Sequence, residues 1–299
     1  MTEKKWIPVV LITLGFWSIL PGAAFCESYP NGAEGIKAAT LPHPGFYHKM
    51  YNAYLTSNQM VDDKGDEAPV DFEAKIFANV HRFLWVSNIE VLEGNYAADI
   101  VIPLSYKNIQ LGVMDYDESR WSLGDIFVEP FAVTWHGLSY DAGTSIGFFM
   151  PTGNYEDPVD SGEGMWTTMF TLGGTYYFDA AKLLSASVLS RHEIHSKKRQ
   201  IDITPGDDFH FEWGVGKTVD RIWDIGIAGY CQWQVKRDRS SGASKGKDRA
   251  YGIGPEVSLF FQPSKIKFSL RYEYDFLVKG RTSGRPAFSR AFLIISKIF

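Results

Sequence analysis

Charged side chains recur at every second position in several stretches of this chain. Lys267, Arg271, Glu273 and Asp275 share one parity, as do Asp71, Glu73, Lys75 and His81. Asp99 with Lys107, Arg191 with Glu193, His210 with Glu212, and Asp224 continue the pattern. On an extended chain, residues two apart point to the same face, so these groups form rows and not a focus. Opposite charges in adjacent rows pair across strands. A wet surface lined this way sorts solutes by charge and breaks no bonds. For any one of these residues the structural reading, a bore filled by salt-bridged side chains, is favoured over a selectivity lining. As a set the rows predict a wet, polar interior that suits a solute path.

Patterns that would carry catalysis are poorly formed. A nucleophilic Ser needs a His within hydrogen-bond reach, which on one strand favours His-x-Ser; His195 and Ser196 are adjacent and point apart. His192-Glu-Ile-His195 is one residue short of the helical zinc pattern, and Gly216-Lys217-Thr218 lacks the first glycine of a phosphate loop because Phe211 stands there. Cys26 and Cys231 are the only cysteines, too few for a disulfide framework or a thiolate metal site. Neither an enzyme nor a cofactor, metal or nucleic-acid partner is expected; a barrel phospholipase is the catalytic reading disfavoured here.

Such rows have to be presented by strands. From Ile266 to Val278 the alternation is strict, with Ile266, Phe268, Leu270, Tyr272, Tyr274, Phe276 and Val278 against the charged parity. About twelve segments of this character follow one another, from Phe46–Thr56 to Ala287–Phe299. Short links precede Ser139, Leu183, Ile222 and Ile266, and longer polar links alternate with them. Aromatics make up 15% of the residues, yet mean hydropathy is −0.15. A polar average with one apolar face suits a transmembrane antiparallel up-and-down β-barrel, with short turns on the periplasmic side and longer loops outside. Pro103, Pro130 and Pro255 fall inside predicted strands and mark bulges or ends. The lipid face is expected to include Phe72, Ile76 and Val80; Ile100, Ile102 and Leu104; Trp166, Phe170, Leu172 and Tyr176; and Trp223, Ile225 and Ile227.

Lys4 and Lys5, the apolar run Trp6–Leu20 and the small residues after it have the build of a cleaved secretory signal peptide. The expected organisation is a signal peptide over 1–26, an N-terminal periplasmic segment over 27–44 and a barrel over 45–299. The last strand, ending at Phe299, is expected to close against the strand that starts near Phe46. Its alternating end would be read by the barrel-assembly machinery. Early loops are acidic, and later ones are basic through Lys197, Lys198, Arg199, Lys245, Lys247 and Arg281. The basic loops suggest attraction to lipopolysaccharide phosphates.

Four stretches carry a family likeness: Gly124-Asp-Ile-Phe-Val-Glu-Pro-Phe131, Phe149-Met-Pro-Thr-Gly-Asn-Tyr155, Gly174-Thr-Tyr-Tyr-Phe-Asp179 and Tyr251-Gly-Ile-Gly-Pro-Glu256. They resemble the outer-membrane β-barrel family associated with the meta-pathway of phenol degradation. The resemblance spans nearly all of the mature chain and rests on turns and strand ends. It implies an outer-membrane transporter or channel of a Gram-negative-type bacterium for small organic, often aromatic or apolar, compounds. No binding residues carry over. Combined with the charge rows, the expectation is diffusion of small solutes through a polar, mixed-charge lumen; a non-transporting structural or surface-interaction barrel is the alternative.

Overall fold

The computed structural model describes residues 28–240, 246–280 and 284–299. The leader expected over 1–26, together with Lys245 and Arg281 of the basic loops, lies outside the described residues. In chain order the strands are β1 (Gly45–Ser57), β2 (Met60–Val61), β3 (Phe72–Val91), β4 (Gly94–Leu111), β5 (Tyr116–Leu123), β6 (Ile126–His136), β7 (Tyr140–Met150) and β8 (Thr167–Tyr177). They continue as β9 (Leu184–His195), β10 (Asp208–Val219), β11 (Trp223–Gln234), β12 (Arg249–Phe261), β13 (Ile266–Lys279), β14 (Arg285–Pro286) and β15 (Ser289–Ile298). All ladders are antiparallel between chain neighbours, and β15 returns to β1, so the sheet closes into a barrel of twelve staves. The short pair β2–β14 lies outside that sheet.

One stave is built from two strands. The lower part of β4 pairs with β6 up to Val101, and its upper part pairs with β5 from Leu104 onward. Pro103, which has no N–H to donate, sits at the changeover, and its carbonyl accepts from Gly124 N at 2.9 Å. Pro130 falls at the register shift between β6 and β7, the bulge its missing donor predicts. Closure follows the expected seam: β15 pairs with β1 from Tyr47↔Ile298 to Thr56↔Ser289, and Phe299 N donates to Phe46 O at 3.1 Å. No edge is left unpaired along the seam.

Turns at one end are tight. Leu92 and Glu93, both at positive φ (51° and 65°), form a two-residue hairpin turn whose twist matches the strands. After β8, the Asp179 carboxylate accepts from the backbone N–H groups of Leu183 and Leu184. Those N–H groups, Leu183's foremost, hold its pKa below the ordinary aspartate value. The outer wall is largely apolar and ends in aromatic girdles. Near the short-turn end Phe46 contacts Phe299, and Tyr96 contacts both Trp85 and Phe131; Trp121 contacts Phe77 and Tyr106 near the other.

The far mouth is covered from within. The 151–166 segment between β7 and β8 folds inward, where Ser161 Oγ meets Ser105 Oγ at 2.5 Å and Ser122 Oγ at 2.6 Å, and Lys107 Nζ donates to Asp160 O at 2.7 Å. Val159 is fully buried there against Met60, Phe72, Ile76, Ile109 and Phe288. Phe72, Ile76 and Val80 were expected on the lipid face; all three point inward. The apolar character of the first two serves the lid core, and Val80 packs beside Tyr51 and Ala53, not against the bilayer.

Candidate functional site

Residues 28–41 run through the bore from the covered mouth towards the short-turn end, instead of lying below the barrel as a periplasmic segment. Ser28 Oγ lies 2.7 Å from Thr167 Oγ1. The Tyr29 ring stacks on His210 with centroids 5.2 Å apart, carries the Arg191 guanidinium over its face 3.8 Å from the centroid, and donates its hydroxyl to Glu212 at 3.1 Å. Further along, Glu34 N donates to Glu212 Oε1 at 2.9 Å and Ile36 N to Glu256 Oε2 at 3.1 Å. Lys37 Nζ reaches Asp224 at 2.9 Å, Ala38 N reaches Ser187 Oγ at 3.2 Å, and Thr40 Oγ1 reaches Thr175 Oγ1 at 2.9 Å. Backbone donors that no ladder satisfies are thus met by wall carboxylates and hydroxyls, as burial demands.

The wall is shaped for this segment. A Cβ on Gly214 would come within 2.9 Å of Gly35 O, and one on Gly216 within 2.7 Å of Ile36 Cγ2. Only a strand without side chains at those points lets the backbones approach so closely. On the strands β9 to β15 the inner face is charged and dry. Arg191 pairs with Glu212. Arg271 pairs with Glu256 at 3.0 Å and with Glu273 at 3.1 Å, and Arg290 with Asp275. Arg271, Glu273, Glu212 and Glu193 are all essentially fully buried. Charges so deeply buried persist only because each is paired.

The opposite half of the bore is different in kind. Between the threaded segment and the inner faces of β1, β3, β4 and β6 to β8 lies a cavity of about 340 Å³. Ala53, Ala78, Val80, Val101, Phe127 and Phe149 are among the residues lining it. Polar groups line it too, Lys107, Asp125, Glu163, Arg191 and Arg290 among them. The Arg82 guanidinium pairs with Asp99 and lies 3.6 Å from Glu129 and 3.7 Å from Glu34. Glu34 also accepts from Lys49 Nζ at 2.5 Å and Tyr51 Oη at 2.6 Å, tying the segment to β1. The bore is therefore divided, one side filled and ionic, the other a largely apolar cavity with charged groups at its margins.

Of the residues predicted to line the lumen, the structure places Asp99, Lys107, Arg191, Glu193, His210, Glu212, Asp224, Lys267, Arg271, Glu273 and Asp275 on the inner wall. Lys267 Nζ joins Lys37 on Asp224 at 2.8 Å. Four others do not face the bore. Asp71 is exposed just before β3, Glu73 and Lys75 pair with each other on the outer wall with side chains 40% and 50% exposed, and His81 points outward. Along β3 the buried parity is Phe72, Ala74 and Ile76, so the alternation was right and its direction reversed. Arg82, Glu34, Glu129 and Arg290 were missed. Arg82 carried the signal, because it shares the parity of Phe72 and Val80 and a guanidinium there argues against lipid. Among the described residues, no group of three or more His, Cys, Asp or Glu side chains could hold a metal ion.

Comparison with known proteins agrees with this architecture. The family model described as "Putative MetA-pathway of phenol degradation" matches residues 57–289. An outer membrane channel from Pseudomonas putida F1 superposes with a TM-score of 0.73 at 14% identity, covering 91% of this chain and 100% of that one. The β domain of the Bordetella autotransporter BrkA gives a TM-score of 0.51 at 10% identity, covering 86% and 100%. These likenesses establish the outer-membrane barrel fold. No curated protein matched in a sequence comparison.

Proposed function

The chain belongs to the family described as "Putative MetA-pathway of phenol degradation", and from that premise we propose that it is an outer-membrane channel for small apolar or aromatic organic solutes. Solutes would travel by diffusion along the apolar half of the bore. The observation that carries this reading is the cavity of about 340 Å³ flanked by Phe127, Phe149, Val80 and Val101. Its volume falls in the roughly 300–1,000 Å³ range of small-molecule sites. Apolar walls favour an uncharged ring, which gives up water on entering and asks for no hydrogen bonds. The ionic rows then hold the threaded segment in place, and the polar lumen expected from sequence is its seat and not the solute path.

A non-transporting barrel is favoured by one observation, the filled and covered bore. Uptake separates the two. Proteoliposomes loaded with an aromatic-responsive fluorophore should take up single-ring aromatics faster with the protein than without it, and faster than a sugar of similar size. Equal rates with and without protein would overturn the channel reading. Around the barrel, the partners proposed are outer-membrane lipids and lipopolysaccharide, and the assembly machinery through the strand ending at Phe299.

A further inference from the structure

The outer wall carries a polar island at a depth where hydrocarbon is expected. On β1 and β3, His48, Asn52, Asn79 and His81 point outward, on the parity of Phe46, Tyr54, Phe77 and Trp85. Their opposite parity is unambiguous, since Lys49, Tyr51 and Arg82 reach Glu34 inside. In the ladder to β4, His81 lies opposite Ile102 and Asn79 opposite Leu104; in the ladder to β15, Asn52 lies opposite Leu293. The four residues thus sit between the girdle at Phe46 and Trp85 and the one at Phe77 and Trp121.

They form a directed chain of hydrogen bonds. Asn52 Nδ2 donates to Leu293 O at 3.1 Å, and Asn79 Nδ2 donates to Asn52 Oδ1 at 2.8 Å. Asn79 Oδ1 only accepts, so His81 Nε2, 3.0 Å away, carries the proton. His81 Nδ1 must then accept from His48 Nε2 at 2.8 Å, and the two rings stack within 4° of parallel. This ordering leaves one N–H on each asparagine and the Nδ1 acceptor of His48 without a partner. Acyl chains offer none, and unsatisfied polar groups in hydrocarbon are costly.

We propose that this β1–β3 face is where two copies of the barrel pair in the membrane. All copies sit at one depth, so a two-fold axis along the membrane normal brings Asn52 and Asn79 of one copy to the level of the same residues in the next. A carboxamide is donor and acceptor at once and is therefore its own complement, which an isologous contact requires. Polar side chains that bond across an interface hold membrane-embedded segments together where apolar contact with lipid gives no preference. Phe46, Tyr54 and Trp85, each nearly half exposed, supply an aromatic rim around that centre.

The test uses the full-length protein with Cys26→Ser and Cys231→Ser, reconstituted in lipid, with single cysteines at Asn52, at Asn79, or at Val188 on the far side of the barrel. Mild oxidation should link Asn52→Cys and Asn79→Cys into dimers and leave Val188→Cys monomeric. Asn79→Leu with His81→Leu should shift the protein from dimer to monomer in sedimentation while the barrel keeps its heat-modifiable migration. Crosslinking no stronger at the island than at Val188 would overturn the proposal. So would a monomeric wild type that retains phospholipid or lipopolysaccharide lost from the double variant, because the island would then be a lipid site.

Discussion

The backbone N–H of Ile36 donates to Glu256 across the bore at 3.1 Å, although 220 residues separate the two in sequence. The same carboxylate oxygen lies 3.0 Å from Arg271 Nη1. One oxygen therefore serves both the ionic wall and the segment threaded against it, and the segment is held without contributing a strand to the barrel.

Deleting residues 28–41 should leave the barrel folded and open it. No stave begins before Gly45, and β1 keeps both its neighbours without the segment. In planar bilayers, ion conductance should rise several-fold over wild type as the charged wall becomes wet. Unchanged conductance would mean that the covered mouth alone limits the path.

A Gly216→Val change should act in the same direction by sterics. The first carbon of the new side chain would lie within 2.7 Å of Ile36 Cγ2, so the segment must lift while the strand itself tolerates valine well. Higher basal conductance with an unchanged unfolding temperature is the expected pairing of results.

Arg271→Met should destabilise the barrel by about 3–5 kcal/mol, because it strands buried carboxylates without their counter-charge. Its guanidinium pairs with both Glu256 and Glu273. Adding Glu256→Gln and Glu273→Gln to the same chain should recover much of that loss. Denaturant titration in detergent micelles measures both variants, and a triple variant no more stable than Arg271→Met would contradict the pairing argument.

Filling the open half should block passage with little effect on stability. Ala78 faces the cavity, and Ala78→Trp puts an indole where a solute would pass. Uptake of single-ring aromatics should fall strongly, while the ionic wall and the threaded segment stay as they are.

The Asp179 turn predicts a modest acid sensitivity. Its folded pKa is depressed by the N–H groups of Leu183 and Leu184. The stabilisation is therefore present above the unfolded value of about 3.9 and is lost as pH falls through the lower folded value. Asp179→Ala should lower the unfolding midpoint at neutral pH, and the gap to wild type should close in acid below that range. A gap independent of pH would assign the turn's effect to something other than the carboxylate charge.

What the amino-acid order determines here is periodic. Alternation from Ile266 to Val278, the rhythm of short and long links, and the bulge at Pro130 are local consequences of a two-residue repeat, of turn chemistry and of a missing donor. They suffice for a closed barrel sealed between β15 and β1. Direction is another matter. On β3, Phe72 and Ile76 are apolar because a lid and a cavity cover them, and His81 is polar because it bonds to other side chains outside. Period two says which residues share a face and not which face is the bore. The threading of residues 28–41 was equally beyond local reading, since its partners Glu212, Glu256 and Asp224 lie far along the chain. Only the closed tertiary structure brings them to one wall, and with them the division of the bore into an ionic seat and a largely apolar cavity.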